Sequence, residues 1–250
     1  MYDLTQFSLR DMTECGSALR KLGSGASCME EVAGLVVRYL QAHLGISTGE
    51  PACALVRFFT TQPFDELNAD RQAVATTVLG SRPNPRTKCV TLIGSAGIEP
   101  HWNDTSLSRR YKAVPLVSEQ FVQQFPMFTQ LFTQLGLVLT EMLAESNILA
   151  DRSETTYNVF HVQTALGSPY VPVQEEFVVK YGIQSVLGFG GVLPSGEVYA
   201  VILFATVSIP AETAELFRTL ALCVKLAVLP FDGGPMWVSE ASQPSPSEVL

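Results

Sequence analysis

Three histidines and five cysteines are the residues of this 250-residue chain best suited to metal, redox or nucleophilic chemistry. Their spacing limits what they can do. No two histidines stand at the helical i, i+4 interval of a metal site, none lies close to a cysteine, and no CxxC pair occurs. A zinc site is therefore not expected. Cys15, Cys28, Cys53, Cys89 and Cys223 are odd in number and widely spaced, which fits reduced and mostly buried thiols. A nucleophilic or redox cysteine stays open, because its partners would meet only in space. Cys53 and Cys89 fall on neighbouring expected strands, and nothing in the sequence singles out one cysteine. His161 lies on an expected strand, Thr155 to Val162. If Phe160 faces the core under terminal helices, alternation turns His161 to the opposite face, as a haem ligand or a hydrogen-bonding pocket residue. The plain alternative is a structural histidine. His43 reads as a helix-end cap and His101 as a loop residue.

Two broader patterns could recognise a ligand. Six of the sixteen basic residues (Arg82, Arg86, Lys88, Arg109, Arg110 and Lys112) fall in one stretch, opposed only by Glu99 and Asp104. In a chain of net charge −8 this reversal marks either an anion-facing surface or a solvated loop. Phe121, Phe125, Phe128, Phe132, Leu135, Leu139 and Met142 step by fours and threes, one helical stripe across 118–143. Pro126 marks a break or a start in it, and Gly136 a weak point.

The elements that would hold these residues centre on Tyr181 to Leu229. Ser185 to Leu193 is an apolar, glycine-bearing strand, Pro194-Ser-Gly is a turn, and Val198 to Val207 is a strand buried on both faces. Ser208-Ile-Pro-Ala-Glu opens a helix whose apolar face runs from Leu216 to Val228, and Pro230 ends it. Upstream, 4–22 reads as a first helix. A second starts at Ser27, with Glu30 completing a capping box, and stops at Gly45. Ala52 to Thr61 and Cys89 to Gly94 read as strands. Between them lies a short helix over 65–79, with its cap near Asn68 and its stop at Gly80. Residues 95–113 read as irregular loop, and Gln174 to Lys180 as a helical turn.

The run Tyr-Gly-Ile-x-Ser-Val-Leu, the glycine-bearing strand, the Pro-Ser-Gly turn, the polar-Pro-x-Glu-Thr junction and the closing helix resemble the C-terminal half of a GAF domain. GAF domains are the sensor modules found upstream of histidine kinases and diguanylate cyclases. The resemblance extends over roughly residues 15–230. It implies an α+β fold of GAF/PAS type: an antiparallel sheet of five or six strands, terminal helices on one face and a long helix on the other. It further implies a non-catalytic, cytoplasmic signal-input domain that binds a small molecule, dimerises through its terminal helices and regulates a kinase or cyclase output. The pocket it implies lies between the aromatic helix, the sheet and the loop 95–113, with Trp102, Tyr111, Phe128, Phe132, His161 and Tyr170 as cofactor-binding candidates. The cofactor itself stays unknown. Haem remains open through His161, whereas a bilin is disfavoured, since no Cys-His dipeptide occurs.

The expected organisation is an N-terminal helix over 1–26 with a dimerising role, a sensor domain over 27–231, and a disordered tail or linker over 232–250. The acidic balance argues against a nucleic-acid partner. No apolar run reaches the length of a membrane span. A haem-based gas or redox sensor, a cysteine-dependent redox enzyme and a purely structural dimerisation module are the alternatives.

Overall fold

The two longest apolar runs pair at the centre of the sheet. The computed structural model describes residues 1–108, 111–143 and 157–238. A short β1 (Tyr2–Asp3) precedes α1 (Leu9–Leu19) and α2 (Met29–His43), which runs into β2 (Leu44–Gly45), the parallel partner of β1. Then follow β3 (Cys53–Pro63), α3 (Ala69–Leu79), β4 (Lys88–Gly97) and β5 (Ala113–Pro115). Three short helices, α4 (Glu119–Val122), α5 (Pro126–Gln134) and α6 (Leu139–Leu143), lead towards β6 (Tyr157–Val162). The chain closes with β7 (Ser185–Val192), β8 (Val198–Ala205) and α7 (Ala211–Val228). The main sheet is antiparallel throughout, in the order β5-β4-β3-β8-β7-β6. The expected α+β class and strand number hold.

Local signals explain most boundaries. Ser8 and Asp11 form a reciprocal capping box that starts α1. Asn68 caps α3, and Gly80 at φ 79° ends it in the left-handed conformation that glycine adopts freely. At α2, the carboxylate that reaches back to Ser27 belongs to Glu31, at 2.6 Å from its backbone nitrogen, and not to Glu30. Glu30 instead accepts from Arg71 and from the Val238 backbone. The long aromatic helix expected over 118–143 is three short helices. Pro126 restarts the chain as the first residue of α5, and Gly136 at φ 78° stops it again.

Alternation sorts the strand side chains to two faces. Val56, Phe58, Ile93, Leu187, Phe189, Val201 and Leu203 meet α1, α2 and α7. Leu55, Phe59, Leu92, Phe160, Val186, Ile202 and Phe204 meet α5 and the loops around it. On the first face backbones come close. A Cβ at Gly94 of β4 would lie 2.8 Å from the Ala33 carbonyl oxygen of α2, so only glycine lets that helix settle. Residues 232–238, expected to begin a tail, pack instead. Pro235 and Met236 carbonyls accept from the first amides of α2, and Trp237 lies under the Arg71 guanidinium at 4.0 Å. Residues 239–250, the rest of that segment, lie outside the described residues.

Candidate functional site

The second face is not filled. Over the middle of β3, β4 and β8 lies a cavity of about 650 Å³. Its floor is Leu55, Arg57 and Phe59 of β3, with Ser95 and Phe204 on the neighbouring strands. Trp102 and Leu107 form one wall, Tyr111 and Met127 a second, and Pro172, Val173, Phe177 and Tyr181 a third. This combination of apolar lining and few polar groups is the character of a small-molecule site.

Hydrogen bonds hold the walls in place. The Asn103 side chain ties the first loop to β4, accepting from the Gly97 amide at 2.9 Å and donating to the Gly97 carbonyl at 3.1 Å. Arg71 of α3 donates to Thr105 Oγ1 at 3.2 Å, and Lys112 Nζ to the Ser106 carbonyl at 2.8 Å. Lys112 also pairs with Asp70 of α3. The third wall is a π-helical turn, Gln174–Val179, a form enriched at functional sites. The Gln174 side chain organises its approach, donating to the carbonyls of Ala165, Ser168 and Val171 and accepting from the Gly167 amide. Across the gap Trp102 meets Tyr181 and Phe177 with ring centroids 4.6 and 5.7 Å apart. Two lining residues, Tyr111 and Val173, sit at φ 60°, a conformation costly for a non-glycine residue and most of all for a β-branched one.

Arg57 sets the electrostatics. Its Nε is shielded from solvent and has no hydrogen-bond partner, and no described carboxylate pairs with it. Burial pushes its pKa down to about 10, partly countered by the nearby Tyr111. An arginine so placed still carries its charge at neutral pH. Asp104 and Glu176 are exposed cavity residues, and Asp104 is engaged in capping the Ser106 amide at 2.8 Å.

Of the six candidates, Trp102 and Tyr111 line the cavity. Phe128 and Phe132 stand behind it as buried core, with Phe128 edge-on to Tyr111 at 5.8 Å. Tyr170 is exposed on the loop that leads to Pro172 and Val173, and lies outside the lining. His161 is on the other side of the sheet. Phe160 packs with the α5 cluster, opposite Gly188, whose missing side chain makes room for it. Parity then turns His161 to the start of α7, where burial lowers its pKa against the opposing pulls of the Ile209 backbone and Glu215. His161, the residue of the haem reading, is therefore not part of the cavity above Arg57. Sequence reasoning missed Arg57, Ser95, Phe177 and Tyr181. The available signal was Arg57 itself, a charge in the middle of the apolar run ACALVRFFTT.

The other reactive candidates disperse. The antiparallel register sets Cys89 opposite Gln62, so Cys89 and Cys53 lie at opposite ends of their strands. Burial raises Cys15, Cys53 and Cys89 to about 12, which disfavours the thiolate at these three positions. Among the described residues no cluster of His, Cys, Asp and Glu could hold a metal ion. Of the basic stretch, Arg82, Arg86 and Lys88 line a second cavity together with Asp65, Glu66 and Glu197, where Lys88 pairs with Glu197 at 3.4 Å and Arg82 covers Phe64. Lys112 is buried, and Arg109 and Arg110 lie outside the described residues.

No family model matches the chain, and no curated protein does. Among solved structures it is similar to the GAF domain of a phosphoenolpyruvate-protein phosphotransferase from Coxiella burnetii. That likeness has a TM-score of 0.44 and 10% identity over 90% of this chain and 95% of that one. It is also similar to a bacteriophytochrome from R. palustris, at a TM-score of 0.42 and 8% identity over 91% of this chain and 39% of that one. A third likeness, to the chromophore-binding domain of Stigmatella aurantiaca phytochrome P1, has a TM-score of 0.38 and 7% identity over 88% of this chain and 59% of that one. The chain thus spans less than two thirds of both phytochrome structures. Among the described residues no helix is long and apolar enough to cross a membrane.

Proposed function

We propose that this chain is a non-catalytic GAF-type input module that binds a small molecule in the cavity above Arg57 and regulates an output domain or partner through its terminal helices. The observation that carries the reading is the cavity of about 650 Å³ whose walls are held open by built hydrogen bonds while its floor presents an arginine whose Nε has no hydrogen-bond partner among the described residues. A packing defect would be expected to collapse or to be filled by side chains. The resemblance of Tyr181 to Leu229 to GAF sensors supports a binding role over a catalytic one, and the raised thiols speak against a cysteine enzyme.

The helix face available for coupling is on α7, where Leu222, Leu226 and Leu229 are exposed at successive turns, beside α1. In this reading a second copy covers it. The expected stripe residue Leu19 is fully buried in the monomer, so Leu19→Asp would test folding and not pairing. Leu222→Asp with Leu226→Asp is the suitable pair, and light scattering should then show a monomer where the parent is a dimer.

The binding function is tested by native mass spectrometry on protein purified from cells, followed by a thermal-shift screen of small metabolites. A bound mass, or a ligand whose stabilisation is abolished by Trp102→Ala, supports it. A chain that carries nothing and responds to nothing in the screen defeats it and leaves the structural dimerisation module.

A further inference from the structure

We infer that the ligand is a singly charged organic acid with a flat apolar body, its carboxylate seated on Arg57. This rests on the reading of the cavity as a small-molecule site and adds the ligand's chemical class.

Arg57 is an expensive residue for its position. It interrupts an apolar strand at the centre of the sheet, and its Nε bonds to nothing. A buried polar group without a partner is destabilising, and a buried charge more so. A stable strand would be made more easily with an apolar residue at 57. The guanidinium is a planar fork whose natural complement is a carboxylate or a phosphate, bound through two parallel hydrogen bonds. Neutral donors surround that point. Ser95 stands across β4 in register with Arg57, and Tyr111 is close enough to influence its titration. Both residues line the cavity, and the Ser95 hydroxyl can donate to an acid oxygen.

The charge count chooses between the two anions. Among the described residues one cation lies on the floor, while Asp104 and Glu176 are exposed acids of the same cavity. The fixed charge of the described lining is thus negative when His101 is neutral. Such a site admits one acid group to the guanidinium and repels a phosphate monoester or polyphosphate carrying two or more charges. The walls specify the remainder of the molecule. Trp102, Phe177, Tyr181, Phe59 and Phe204 offer aromatic faces and edges, and Phe177 and Phe204 already meet edge-on at 5.1 Å. A fused-ring or substituted aryl carboxylate fits that lining and that volume.

The test uses the full chain and three probes: naphthoate, its neutral amide naphthamide, and naphthyl phosphate at pH 8, with affinities from titration calorimetry. The expected order is naphthoate tightest, by about tenfold or more over naphthamide, with naphthyl phosphate weaker than naphthoate. Arg57→Gln should weaken naphthoate by about 10- to 100-fold and leave naphthamide within about twofold. Equal affinity for acid and amide, or naphthoate binding unmoved by Arg57→Gln, overturns the acid assignment while the cavity still stands as a binding site. Tighter binding of the phosphate overturns the single charge. Failure of all three probes to bind the parent chain overturns this inference, while the cavity reading itself is decided by the metabolite screen. Should Arg57→Gln not fold, the acid-to-amide ratio on the parent chain decides alone.

Discussion

The two faces of one sheet are built on opposite terms. Under α1, α2 and α7 the side chains of five strands of the sheet and three helices interlock. Glycines at helix contacts bring backbone to within van der Waals distance, as at Gly94 and Ala33. Across the sheet three short helices and two tied loops leave a hollow, an arginine Nε with no hydrogen-bond partner among the described residues, and two residues with positive φ. On the proposed reading, the difference separates a face built for stability from a face built for recognition. A face that has only to hold the domain together can be packed to native density, whereas a face that takes a ligand keeps surface unsatisfied until the ligand arrives.

The largest effect should separate the faces directly. Phe217 of α7 is fully buried and packs on Phe7 and Phe189 at centroid distances of 5.2 and 5.3 Å. Phe217→Ala should cost about 3–5 kcal/mol in urea unfolding. Phe177, partly exposed at the cavity wall, should cost about 1–2 kcal/mol when changed to alanine. Equal costs would mean that the second face is as close-packed as the first.

Arg71 comes next, because it joins the faces at their margin. It is buried, donates to the Leu92 carbonyl and to Thr105 at the cavity wall, pairs with Glu30 of α2 at 3.4 Å and covers Trp237. Arg71→Met should cost about 2–4 kcal/mol, since it removes the donor to the Leu92 carbonyl and the cation paired with Glu30. It should also expose Trp237, read as a red-shifted tryptophan emission. A stability loss without the shift would place the C-terminal segment under other control.

Arg57 should show a smaller change of opposite sign. With no ligand bound, Arg57→Met removes an uncompensated cation from a shielded position and should stabilise the chain by about 1 kcal/mol in the same unfolding assay. A loss of stability would mean that the guanidinium is structural, and would weaken the contrast between the faces.

Much of this division was legible before the structure, and the part that was not has a physical reason. The β7–β8 hairpin and α7 stand out because the runs are long, the Pro194-Ser-Gly turn is explicit and both strands are buried on both faces. Asn68 and Gly80 bracket α3 from either end. β5 escaped because it is three residues long and follows a polar loop. The aromatic stripe from Phe121 to Met142 has true helical spacing, yet spacing does not reveal whether Gly136 continues or stops a helix. The site was half legible. Alternation tells which residues share a face, and Trp102 and Tyr111 follow from loop position and aromatic type. It does not tell which face is hollow, so Arg57 read only as a charge in a strand. His161 shows how a parity argument fails: assigning Phe160 to the wrong helices reverses every neighbour at once.

The smallest effect concerns that histidine and asks whether the packed face reaches the edge strand. The His161 ring lies against the start of α7, where burial favours its neutral form, with the Ile209 backbone and the Glu215 carboxylate pulling the other way. Its folded pKa is therefore below the value of about 6.5 that it takes in the unfolded chain. Above that value both states are neutral at this position and stability is flat. As pH falls below about 6.5 the unfolded chain takes up a proton that the folded chain refuses, so stability declines until the folded pKa is reached. Urea melts between pH 7.5 and 5.5 should show this decline in the parent and a shallower one in His161→Gln. His43 and His101 are exposed and contribute the same background to both proteins. Parallel slopes would mean that the ring titrates as if in water, and that close packing ends before β6.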